Sequence, residues 1–238
     1  MHEYYQKNLN KLEKAMHNYL LPIKDELETK FQLDFETLIA ETWDYYKNNI
    51  VEYFPYIGGD KASGTNNLTG AYVFIALGVI LRKHGASLEE WGYLTTIAYE
   101  RYMNKIPSFI RKNAPRLLKH PKFIYKMLKK KDLKNEINCK ENPGSFKTAV
   151  QEPNAEYQAI YFNQVCPLER FAKEHGFEEY MPYICNLDYV MFKAFNLPFY
   201  RYKTCFKGDE CCDFRFKANA KINDAWPCHG LDDNDPLN

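Results

Sequence analysis

The chain has 238 residues, enough to bury a sizeable core in one large unit or in two small, closely packed ones. Its 32 Lys and Arg balance 31 Asp and Glu, so no global charge draws it to nucleic acid or to a membrane surface. The 19 Tyr and 16 Phe suit a core whose polar-tipped rings reach toward its surface.

The first twenty residues are charged and amphipathic rather than basic and then apolar, which argues against a signal peptide. The longest apolar run, Ala71–Leu81, is too short to span a bilayer. A cytosolic protein is expected. Its seven cysteines would then be reduced, and an odd count argues against a complete disulfide framework. Five of them fall between Cys166 and Cys212, which points to catalysis or metal binding before structural stapling.

In chain order, Tyr4, Leu9, Leu12, Met16, Tyr19 and Leu20 recur at helical spacing, and Pro22 opens a second helical segment expected to run to about Phe54. The loop Pro55–Thr69 contains Gly58-Gly59, Lys61 and Ser63 but lacks the spacing and closing Lys-Ser/Thr of a phosphate-binding loop. Asn67 or Thr69 is expected to cap the next helix. That helix, through Lys83, is apolar nearly all round, as a central buried helix would be, and His84-Gly85 ends it. Ser87 and Glu90 form a capping box for a helix reaching about Met103.

Between Arg111 and Lys134 there are ten Lys or Arg and one acid, Asp132, which reads as a solvated helix face. Asn135–Ser145 reads as polar and turn-rich. After it the periodicity changes: Phe146–Glu152 and Tyr157–Val165 read as strands joined by Pro153-Asn154-Ala155. Cys166-Pro167 starts a short helix ending at His175-Gly176, and a helix around Tyr180–Phe195 follows. Phe199–Phe206 and Cys211–Phe216 read as a hairpin turning at Lys207-Gly208-Asp209-Glu210. The expected fold class is α+β: a helical region over residues 1–135, an α+β region over 136–217 with a four-stranded antiparallel sheet, and a polar tail over 218–238 in which Trp226-Pro227 tucks against the body.

The chemistry gathers between Cys185 and Phe216. Cys185-x-x-Asp188 places a thiol and a carboxylate on one helical face. Cys212, Phe214 and Phe216 share one face of a strand, and Cys211, Asp213 and Arg215 the other. Asp188 alone would raise the thiol pKa, so activation needs Asp188 as a base, or a cation such as Arg201 or a metal. The planar fork of Arg201 suits a substrate carboxylate. Cys166, Cys185, Cys212 and Asp188 could instead supply zinc ligands, although the short Cys-x2-Cys and His-x3-His pairs of structural zinc sites are absent from the sequence.

The pattern Cys166-Pro167, Gly176, Cys185-Asn186-Leu187-Asp188, Arg201, Thr204, Gly208 and Cys212-Asp213-Phe214-Arg215-Phe216 resembles the L-2-amino-thiazoline-4-carboxylic acid hydrolase family over about residues 60–217. The resemblance implies hydrolytic opening of a cyclic amidine to a carbamoyl-cysteine product. Cys185, Asp188 and Cys212 would be catalytic, Arg201, Thr204 and Cys166 would bind a small-molecule substrate, and no cofactor would be required. The Cys211-Cys212 doublet and the Lys-rich stretch before Phe146 depart from the family pattern. Cys185, Asp188 and Cys212 alone are also similar to the catalytic trio of organomercurial lyases. A metal- or small-ligand-binding sensor is the non-catalytic alternative.

Overall fold

The computed structural model describes residues 1–62, 64–229 and 231. Ser63 of the glycine-rich loop, and Gly230 and residues 232–238 of the polar tail, lie outside the described residues.

Four helices open the chain: α1 (Glu3–Lys7), α2 (Leu9–Leu20), α3 (Lys24–Phe31) and α4 (Phe35–Tyr45). The segment expected to run unbroken from Pro22 to Phe54 is interrupted. Gln32 takes a left-handed conformation (φ 54°), and the Asp34 carboxylate caps α4 by accepting the Thr37 N–H at 2.9 Å. α4 then passes through a π turn at Tyr46–Ile50 and a 3-10 turn at Val51–Tyr53.

The central helix, α5 (Thr65–Lys83), starts earlier than expected. Thr65, not Asn67 or Thr69, opens it, and its hydroxyl donates back to the Gly59 carbonyl at 2.7 Å. Tyr72, Phe74, Ile75, Leu77 and Leu81 are almost fully buried, as the all-round apolar pattern predicts. The Ser87–Glu90 capping box is present and starts α6 (Leu88–Asn104). Next come α7 (Ser108–Asn113), a 3-10 segment and α8 (Pro121–Glu141). The helix runs through Asn135–Glu141, which sequence reads as turns. That stretch is polar but has no glycine or proline, so nothing breaks the helix before Asn142-Pro143-Gly144.

The strands β1 (Lys147–Gln151), β2 (Ala159–Val165), β3 (Phe199–Tyr200) and β4 (Cys212–Phe216) form one sheet in the order β1-β2-β4-β3, antiparallel at every pairing. Helices α9 (Pro167–His175) and α10 (Met181–Ala194) lie between β2 and β3 in the chain. The architecture is α+β. All strands follow α8, as the change of periodicity predicts.

β3 is much shorter than the predicted Phe199–Phe206 strand because side chains take over its ladder. Asp213 Oδ1 accepts the Tyr202 and Lys203 N–H groups at 2.8 and 2.7 Å, and Asp209 accepts that of Thr204 at 2.8 Å. The chain therefore leaves the sheet just before Arg201 and loops back to Cys212. Farther on, Trp226 packs on the rings of Tyr93 and Tyr183, and buried Asn186 donates to the Ala225 carbonyl at 2.7 Å, so the start of the tail is anchored.

α10 is seated on α6 at Gly92, where an added Cβ would lie 2.1 Å from the Tyr183 ring. Trp91 beside it is fully buried and donates its indole N–H to the Phe74 carbonyl at 2.8 Å. Gly92→Ala is therefore expected to push α10 outward and lower stability by about 1–3 kcal/mol, readable in thermal or urea unfolding. An unchanged midpoint would show that α10 is not seated this way.

Candidate active site

Two periodicities converge on one cavity of about 400 Å³. From α10, Ile184, Cys185, Leu187, Asp188 and Met191 fall on one helical face and line it. From the sheet come Tyr161 and Asn163 of β2 with Cys212 and Phe214 of β4. They share a face because Tyr161 pairs with Phe214 and Asn163 with Cys212 in the antiparallel register. The Tyr161 and Phe214 rings stack with centroids 4.4 Å apart. Cys166, at the N-cap of α9, joins them, and Ala71, Phe74, Tyr99 and Tyr19 arrive from the N-terminal helices.

Arg201 ties the two halves together. It is 5% exposed; its Nη1 donates to Asp188 Oδ2 at 2.8 Å and its Nη2 to the Cys185 carbonyl at 3.0 Å. Tyr189, Phe199 and Phe214 surround the guanidinium, with ring centroids 5.3, 5.7 and 6.0 Å from Cζ. Burial is the largest single influence and works against its charge, but Asp188, Cys185, Tyr189 and Cys212 together outweigh it, so Arg201 stays a cation. The fork that sequence assigns to a substrate carboxylate here holds the carboxylate of Asp188.

The Asp188 side chain keeps 32% of its surface open even though it lies deep in the fold, because that surface faces the cavity. Burial raises its pKa above the usual carboxylate range, and Arg201 opposes the shift by charge and hydrogen bond. Burial also pushes the Cys185 thiol well above an ordinary cysteine, against the pull of Arg201, with Cys212 and Cys166 adding to the rise. Cys166 is pushed up to about 12, mainly by burial. The free protein thus presents neutral thiols next to a carboxylate that can accept a proton.

Cys205 was not singled out by its sequence context, yet its N–H donates to Cys212 Sγ at 3.2 Å. A hydrogen bond from Cys212 lowers the Cys205 pKa, and the same contact, with burial, raises that of Cys212. The pair gives up its first proton more readily than an isolated thiol. Thr204 lies outside the cavity lining. It is buried beside this pair, and its hydroxyl has no hydrogen-bond partner among the described residues. Among those residues, no group of three or more His, Cys, Asp or Glu side chains is arranged to hold a metal ion. No helix among them is long and apolar enough to cross a membrane.

Other lining residues carry no motif in sequence. Asn66 and Asn67 come from the first turn of α5, Lys131 and Asn135 from α8, and Thr148 from β1. The register of β1 against β2, where Thr148 pairs with Asn163, and the helical phases of α5 and α8 reveal such positions.

A family model for L-2-amino-thiazoline-4-carboxylic acid hydrolase matches residues 71–216. The chain belongs to that family. The matched range contains Lys131 and every cavity residue from α10 and the sheet, whereas Tyr19, Asn66 and Asn67 precede it. No curated protein and no solved structure matches the chain. The three-residue likeness to organomercurial lyases gains no support from the family match.

The pKa directions order the thiols by reactivity, since the thiolate is the nucleophile. Iodoacetamide near neutral pH should label Cys205 before Cys166 or Cys185, which burial keeps protonated. Mass-spectrometric mapping of labelling against time checks this. Cys185 reacting first would contradict the protonation states assigned to the cavity.

Proposed function

We propose that the protein is a hydrolase that opens a small cyclic amidine of the 2-amino-thiazoline-4-carboxylate type. The observation that carries this reading is the Cys185–Asp188–Arg201 arrangement, placed with Cys212 on one cavity within the matched family range. A volume of about 400 Å³ accommodates a small heterocycle.

In this reading the carbon between ring sulfur and ring nitrogen is the electrophile. Either Cys185 Sγ attacks it directly, or the thiol orients a water that attacks in one stage. After direct attack and cleavage of the C–N bond, a water displaces the enzyme sulfur from that carbon and returns the thiol. In both cases the nucleophile's proton passes to Asp188 and then to the departing ring nitrogen. Net addition of water cleaves the C–N bond and leaves a carbamoyl group on the cysteine sulfur. Cys212, across the cavity on β4, assists by hydrogen bonding. Arg201 is a positioning residue: it fixes the Asp188 carboxylate and, through the Cys185 carbonyl, the helical turn that carries the thiol.

The experiment is turnover of 2-amino-thiazoline-4-carboxylate, without added metal, across pH. Cys185→Ser should reduce kcat by about a thousandfold or more, because a hydroxyl is a far weaker nucleophile near neutral pH. Activity should fall on acidification as Asp188 takes up its proton, and the midpoint should lie above the usual carboxylate value because its pKa is raised. Since Arg201 pulls that pKa down by charge and hydrogen bond, Arg201→Gln, which removes the charge, should move the acid limb to higher pH and lower kcat more than it raises KM. Full activity in Cys185→Ser, or an unmoved acid limb in an impaired Arg201→Gln variant, would refute these assignments. Binding of the compound without turnover would favour the sensor alternative.

A further inference from the structure

The substrate class named for the family carries a ring carboxylate, and its charge needs a partner. Among the described residues two cations line the cavity, Arg201 and Lys131. Arg201 is buried and holds Asp188. Lys131 is exposed, so it stands on the solvent side of the cavity, and it has no hydrogen-bond or ion-pair partner among the described residues.

The surrounding bonds explain why Lys131 is left over. Asp132 is the one acid of the basic stretch, but it turns away: Thr148 Oγ1 donates to its Oδ1 at 2.8 Å, and Lys129 pairs with its Oδ2 at 3.4 Å. Asn135 lies one turn from Lys131, on the same face of α8, and its Nδ2 donates to Thr148 Oγ1 at 3.1 Å. This chain from α8 to β1 holds the helix against the sheet. It also leaves Asn135 a second amide N–H, and Asn135 and Lys131 both line the cavity.

We propose that Lys131, with Asn135 beside it, forms the subsite that takes the carboxylate of the substrate. The proposal rests on the hydrolase reading above for the identity of the ligand. It gives the Lys-rich stretch a role in substrate selection: a carboxylate held at the solvent side directs the opposite edge of the ring toward Cys185 and Asp188. A fixed cation there also concentrates small anions at the entrance, an attraction that salt weakens.

Two unreactive probes, thiazole-4-carboxylate and thiazole, test this by calorimetric titration of the full chain. The wild type should bind the carboxylated probe more tightly. Lys131→Gln should weaken that binding by roughly 5- to 30-fold, the range for one charge-assisted hydrogen bond at a partly exposed site. It should leave thiazole binding and the unfolding midpoint unchanged, and Lys131→Arg should restore most of the affinity. Equal affinity of Lys131→Gln and wild type for thiazole-4-carboxylate would overturn the subsite, as would an equal loss for both probes. Neither probe is hydrolysed, so this result stands apart from turnover. A carboxylate-specific loss in a chain that does not open the aminothiazoline would keep the subsite and reject the hydrolase. Turnover with an unchanged KM in Lys131→Gln would do the reverse.

Discussion

A guanidinium buried to 5% exposure is costly to remove from water, and the site is built around meeting that cost. Arg201 enters where β3 stops, reaches between three aromatic rings, and ends on two acceptors of α10: the Asp188 carboxylate and the Cys185 carbonyl. The contact joins the end of β3 to α10, the helix that precedes it, so neither can shift against the other without exposing an unpaired charge. Truncating one partner of such a pair commonly destabilises by about 3–5 kcal/mol, and here by less, because Asp188 faces the cavity and keeps water. That openness distinguishes a site from a structural ion pair.

The same constraint explains the short third strand. A full ladder from Phe199 to Phe206 would carry Arg201 along the sheet. Instead Asp213, fully buried near the start of β4, captures the Tyr202 and Lys203 amides and bends the chain away. The bend brings Cys205 back against Cys212, which lines the cavity, so a second thiol backs the one on the wall. On the other side, Gly92 lets Tyr183 sit close to α6, which sets the depth of α10 and of the thiol and carboxylate it carries. Aromatic packing and backbone capture together place the groups that the chemistry needs.

Much of this was legible in the sequence, and the reasons divide cleanly. Cys185-x-x-Asp188 reads correctly because helical phase is local, and the shared face of Cys212 and Phe214 because strand alternation is local too. The buried nature of α5 and the Ser87–Glu90 cap follow from residue types alone. The partner of Arg201 does not, since a fork that suits any carboxylate carries no mark of which one it meets. Lys131 is hidden among ten basic residues until Asp132 is seen turned toward Thr148. The run of α8 through Asn135–Glu141 was masked by polar composition, which marks solvent exposure as readily as a turn.

The most direct measurement of the central claim, that Arg201 holds Asp188 beside Cys185 as one unit facing the ligand, is a crystal structure of Cys185→Ala with 2-amino-thiazoline-4-carboxylate bound. The account predicts the amidine carbon over residue 185, the Arg201–Asp188 contact intact, and the ligand carboxylate directed away from Arg201. A ligand bound outside the cavity would contradict it. So would an Arg201 that releases Asp188 to take the ligand's carboxylate.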